Sequence, residues 1–237
     1  MSASPNTGKS MSITSGSRFV RIGALAFITG IVQFFIVHLI VEHAWPTPYS
    51  WAYNNISDLG AVTCGPWEGN GRYICSPLHV WMNVSFLIQG LLLILGLILT
   101  QPYWNYFSTR TSLTLMLLAG MGWILVGVAP ADVNRNLHIS GALLIFFCGN
   151  LGLVFAERSR ARGQDQASAF RTIPRLLGIV GLVAAALFIV QIYFIFGMGG
   201  MERIAVFPLQ IWAVWTGACL CRTSKEEALM RDKASSN

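Results

Sequence analysis

The sequence predicts an all-α integral membrane protein, a bundle of six transmembrane helices with both termini in the cytoplasm. Three observations carry that prediction. Apolar runs recur that are long enough to cross about 30 Å of hydrocarbon at about 1.5 Å per residue. The runs are continuously apolar rather than alternating, which points to helices and not to barrel strands. Lysine and arginine gather in alternate connections between the runs, as the positive-inside rule requires. A chain of 237 residues that is 54% hydrophobic, 11% charged and has a mean hydropathy of +0.57 is too apolar to be a soluble domain.

Taken in order, residues 1–17 (MSASPNTGKSMSITSGS) are rich in Ser and Thr. They lack a cationic start followed by a short apolar core and a small-residue cleavage site, so a disordered cytoplasmic tail is expected rather than a cleaved signal. The spans are expected at Phe19–Ile40, His79–Leu99, Ser112–Ala129, His138–Ala156, Leu176–Phe196 and Ile204–Cys221. They form one membrane domain over residues 18–221, with a long outer loop at 41–78 and a cytoplasmic tail at 222–237. With the N-terminus inside, 13 of the 16 lysines and arginines are cytoplasmic, and only Arg72, Arg135 and Arg203 lie outside. The expected location is the cell membrane. The net charge of +6 does not imply nucleic acid, because the basic residues are scattered between apolar runs instead of forming one face interleaved with aromatics.

Of the five cysteines, Cys64 and Cys75 alone share the outer loop, and an oxidising compartment predicts a disulfide between them. Cys148, Cys219 and Cys221 fall in or at the end of spans, where cysteine is usually small apolar filler.

Four polar segments reach the same outer rim: NNISDLG (54–60), CSPLHVWMN (75–83), PADVNRNLH (130–138) and GMGGMER (197–203). A six-helix bundle brings them within reach of one another, which predicts a shared pocket containing Asp58, His79, Asp132, His138, Glu202 and Arg203. Imidazole beside carboxylate supplies a general acid/base pair or metal ligands, so Asp58, His79, His138 and Asp132 are the candidate catalytic residues. Asn55, Ser57, Asn83, Glu202 and Arg203 are the candidate ligand-binding residues, with Arg203 suited to an anionic head group. Each also has a structural reading. Ser57 or Asp58 can cap a short helix, and Asn54 and Asn55 are common turn residues. His38 and His43, at the outer end of the first span, read as interfacial.

Several activities lose support. DVNRN (132–136) departs from a calcium loop, with Leu137 and Leu143 where Gly and Glu belong. All four histidines lie toward one side, which disfavours a two-haem electron carrier. The spans hold amides (Gln33, Asn83, Gln89, Asn150, Gln191, Gln210), suited to bonding across helices, but no ionisable residue at mid-depth of the kind proton-coupled transport uses. The sequence names no cofactor: it holds no HExxH or CxxC pair, and neither GxSxG nor a phosphate-cradling glycine loop.

NNISDLG, the Pro-Leu-His-x-x-x-Asn run ending at Asn83, PADVNRNLHISGALLIFFCGNLG and GMGGMERIAVFP together resemble the bacterial and archaeal membrane proteins grouped as domain-of-unknown-function family nine hundred ninety-eight. The resemblance covers roughly residues 18–221 and implies a multi-pass membrane protein with no established activity. A fainter likeness runs to the Frag1/DRAM-like membrane proteins. Ile56, Ser57, Asp58 and Gly60 fill their ISD-x-G loop, while His138, Gly141–Leu144, Phe146 and Gly149 fill an H-x-x-GALL-x-F-x-x-G helix. That likeness implies lipid handling at the outer leaflet. Two functions are therefore expected in order of preference. The first is a lipid-binding or regulatory membrane protein, with membrane lipids or another membrane protein as partner. The second is a membrane-embedded enzyme acting on a lipid or amphipathic substrate through an Asp/His site.

Overall fold

The computed structural model describes residues 8–67, 71–101, 107–156 and 169–235. Among them lie six helical segments long and apolar enough to span a membrane: Arg18–His43, His79–Thr100, Arg110–Val128, Arg135–Val154, Thr172–Ile189 and Phe194–Thr223. The helices are α1 (Gly8–His43), α2 (His79–Thr100), α3 (Phe107–Val128), α4 (Arg135–Leu143), α5 (Asn150–Val154), α6 (Ala169–Ile189) and α7 (Gly197–Ser235). A widened π-helical stretch, Leu144–Gly149, joins α4 to α5 into one span. The expected tails differ from the helix limits, since α1 is helical from Gly8 and α7 continues to Ser235. Residues 1–7 lie outside the described residues.

Helices α1, α2 and α3 pack in sequence, and α7 closes the bundle by packing on both α1 and α6. Small residues set the closest approaches. A Cβ on Gly122 of α3 would come within 2.6 Å of the Gly141 carbonyl oxygen of α4, and one on Gly141 within 2.8 Å of the Gly122 carbonyl. The two backbones therefore touch, as small-residue helix pairs in membranes do. Polar side chains bridge other helices: Ser85 of α2 donates to Gln33 Oε1 of α1 (3.0 Å), Gln33 Nε2 donates to the Ser85 carbonyl (3.1 Å), and Asn150 Nδ2 of α5 donates to the carbonyls of Phe146 (2.7 Å) and Ala205 of α7 (2.8 Å). At the centre Phe34, Phe86 and Trp123 meet at ring-centroid distances of 5.5–6.2 Å.

The fifth and sixth spans differ from expectation. Span five ends at Ile189, and α7 begins at Gly197, so GMGGMER is the first two turns of a helix and not a connection. The turn between them uses positive φ at Gln191 (60°), Phe194 (46°) and Gly197 (71°). Ile192, Phe194, Ile195 and Phe196 are exposed within it. An apolar turn of this kind leaves no break in hydropathy, which is why the boundary is displaced.

The loop after α1 carries a 3-10 turn at Ser57–Gly60 and a two-residue antiparallel ladder, β1 (Gly65–Pro66) with β2 (Tyr73–Ile74). Pairing Gly65 with Ile74 sets Cys64 beside Cys75, and the two form the expected disulfide with Cα atoms 4.2 Å apart.

Candidate functional site

The NNISDLG segment is folded into the end of the bundle, with Asn54, Ile56, Asp58, Leu59 and Gly60 all buried. A buried non-helical segment must find partners for its backbone polar groups. Here side chains from distant elements supply them. Ile56 N–H donates to the Glu202 carboxylate, and Arg203 Nη1 donates to the carbonyls of Trp51 (2.9 Å), Asn54 (2.8 Å) and Gly199 (2.9 Å). Arg203 Nη2 donates to Tyr49 Oη (2.7 Å), which itself donates to the Asn55 carbonyl (2.8 Å). Asn83 Nδ2 donates to the Gly60 carbonyl (2.9 Å), and Ser76 Oγ to that of Leu59 (2.6 Å). The Ala52 carbonyl accepts from Gly199 N–H (2.8 Å), satisfying a donor at the start of α7. A side chain at Gly199 would collide with the Asn54 carbonyl, so glycine is needed for that approach.

Asp58 is 5% exposed and is held by its own loop: Oδ1 accepts from Arg72 Nη2 (2.8 Å) and Oδ2 from Asn55 N–H (2.7 Å). Burial pushes its pKa up to about 6, against the opposing pull of the Arg72 charge, the Asn55 N–H and the Arg203 charge. Burial likewise raises Tyr49, well above the ordinary phenol range, despite the opposing charge of Arg203. Arg203 lies 4.9 Å from the Trp51 ring and 5.6 Å from that of Tyr49, a cation–π arrangement at both faces.

The expected six-residue pocket therefore divides. Asp58 and Arg203 belong to the buried polar layer that closes the bundle. Asp132 lies at the rim, where its Oδ2 accepts from Thr63 N–H (2.7 Å) and Oγ1 (2.8 Å). Partial burial tends to raise that carboxyl, but these hydrogen bonds outweigh it and hold its pKa below the usual range. His79 Nδ1 is 3.0 Å from the Ser76 carbonyl, at the start of α2. His138 and Glu202, by contrast, share a pocket with Ser57, walled by Phe86, Trp123 and Val206 among others. Its cavity volume is about 30 Å³. The π-helical stretch contributes Ile145 and Phe146 to its wall. Among the described residues, no group of three or more histidine, cysteine or acidic side chains is placed to hold a metal ion.

Two features escape the sequence reading. Arg72 is the direct partner of Asp58, and its signal is that it is one of only three arginines assigned to this side. His38 is not interfacial but 0% exposed, with its ring against those of Phe34 (5.9 Å), Tyr49 (6.0 Å) and Trp51 (5.2 Å). Its Nε2 lies 3.6 Å from Glu42 Oε2, which accepts a hydrogen bond from Trp51 Nε1 (2.8 Å). The rotation of α1 about its axis, set by packing on α2 and α7, turns this position inward. His43 is exposed.

Six membrane-spanning helices whose loop-bearing end is closed by buried charged ties define a multi-pass membrane protein. The chain belongs to the family described as protein of unknown function (DUF998), which it matches over residues 28–218. No curated protein and no solved structure matches it.

Proposed function

We propose that the protein binds a single-chain amphipathic molecule, drawn from the outer leaflet of the cell membrane, in the pocket shared by Ser57, His138 and Glu202. The observation that supports this reading is the composition of that wall. Phe86, Trp123, Val126, Ile145, Phe146 and Val206 offer apolar surface for a chain, and Ser57, His138 and Glu202 line the same space. The free space admits a hydroxyl-sized group as it stands, so a chain enters by parting side chains. The π-helical wall suits such movement, since widened turns of this kind recur at functional sites. The outer-leaflet assignment rests on the arginine and lysine distribution.

Native mass spectrometry of protein extracted directly into lipid particles tests it. Ala142 also lines the pocket, and wild type is expected to carry a single-chain adduct that Ala142→Leu, which fills the space, abolishes while helical circular dichroism is unchanged. An adduct retained equally by both proteins refutes the pocket.

Catalysis on such a molecule is the second reading, favoured by hydroxyl, imidazole and carboxylate lining one pocket. Among the described residues Ser57 and His138 share no hydrogen bond, and Asp58 does not line the pocket, so binding is preferred. Ester-cleaving activity of the purified protein, lost in Ser57→Ala, would reverse that preference.

A further inference from the structure

The polar lining narrows the ligand class, an inference that rests on the binding pocket proposed above. His138 Nδ1 lies 2.8 Å from the Ala129 carbonyl oxygen, which can only accept. Nδ1 therefore carries the hydrogen, and in the neutral ring Nε2 is left with its lone pair. Glu202 accepts from Ile56 N–H through one carboxylate oxygen, and in its ionised form the other oxygen can only accept. Ser57 can accept or donate. Among the described residues, no lysine or arginine lines the pocket. The nearest guanidinium groups are engaged elsewhere, that of Arg203 on loop carbonyls and Tyr49, and that of Arg72 on Asp58.

This inventory sorts head groups by charge. A carboxylate or phosphate would bring acceptors against acceptors, with no donor of opposite charge to offset its desolvation. An ammonium would donate well, but Glu202 already feels the positive charges of Arg203 and Arg72, with Asp58 opposing them. A third cation there would have no counter-charge of its own. What remains is a neutral head that donates hydrogen bonds. We infer that the Ser57–His138–Glu202 pocket selects a neutral, hydroxyl-bearing single chain, such as a monoacylglycerol or long-chain alcohol, over the fatty acid or alkylammonium of equal length.

Protein in nanodiscs is titrated at neutral pH with 1-monolauroylglycerol, laurate and dodecylammonium, and adducts are counted by native mass spectrometry. The glycerol ester is expected to bind at least about 10-fold more tightly than either ion, since a mispaired or uncompensated buried group commonly costs that much. Ala142→Leu should remove the adduct. Glu202→Gln, which keeps an acceptor for Ile56 N–H but removes a negative charge, should improve laurate binding relative to the ester by about 10-fold. Laurate or dodecylammonium binding as well as the ester in wild type, with the adduct still lost in Ala142→Leu, overturns the selectivity and leaves the pocket standing. No adduct sensitive to Ala142→Leu from any of the three overturns both.

Discussion

Asp58 shows how a single carboxyl reports on the closed end of the bundle. Its native pKa of about 6 stands above the ordinary 3.8, so the folded protein holds its proton more tightly than the unfolded chain. The sign follows directly: this contribution is fully present below pH 3.8 and is lost as pH rises through about 6. At about 1.4 kcal/mol per tenfold change in proton affinity, the displacement corresponds to about 3 kcal/mol. Melting temperature measured across that window should therefore fall with rising pH more steeply in wild type than in Asp58→Asn. Equal slopes for the two proteins would show that Asp58 is not held in the buried environment described. The gathering of Asp58, His138, Glu202 and Arg203 at one end was readable in the sequence, because the order of spans dictates which connections share a side. Their pairing was not readable. Which acid meets which base depends on the path of a 35-residue loop, and hydropathy carries no trace of that path.

At the scale of elements, the disulfide and the short hairpin act together. The β1–β2 register holds Cys64 beside Cys75, and Arg72 precedes β2 directly, so the bridge fixes the strand that delivers a guanidinium to Asp58. Closing a loop of this length is worth about 3 kcal/mol through the entropy of the unfolded chain. Replacing both cysteines with serine should lower stability by about 2–3 kcal/mol. The same change should steepen the pH dependence of melting, since a less firmly held Arg72 would oppose the burial-driven rise of the Asp58 pKa less. Chemical denaturation of the double variant checks the first effect, and an unaltered midpoint would deny the bridge a stabilising role. The pair itself was legible because only two cysteines share that loop. The start of α7 was hidden for the opposite reason, since Ile192 to Phe196 reverse the chain without a polar residue other than the Tyr193 hydroxyl.

For the whole molecule, the six spans put the start of α1 and the end of α7 at one end and the polar layer at the other. From the cation distribution we propose that the polar end faces outside. A reporter fused after Asn237 or within residues 160–168 should behave as cytoplasmic, and one within residues 66–72 as external. External activity from the C-terminal fusion would reverse the orientation.

The ties from Arg203 and Glu202 to the first loop also order events during synthesis. Asn54 and Arg203 are 149 residues apart, and Ile56 and Glu202 are 146 apart. The loop thus leaves the ribosome long before its partners exist. Until α7 inserts, the carbonyls of Trp51 and Asn54 and the N–H of Ile56 must be satisfied by water. The site therefore forms last, and contacts this distant in sequence are slow to form because loop closure precedes any gain from them. A chain stopped before α7 would hold five spans yet leave its first loop unsealed. In this protein α7 completes a loop made 149 residues earlier.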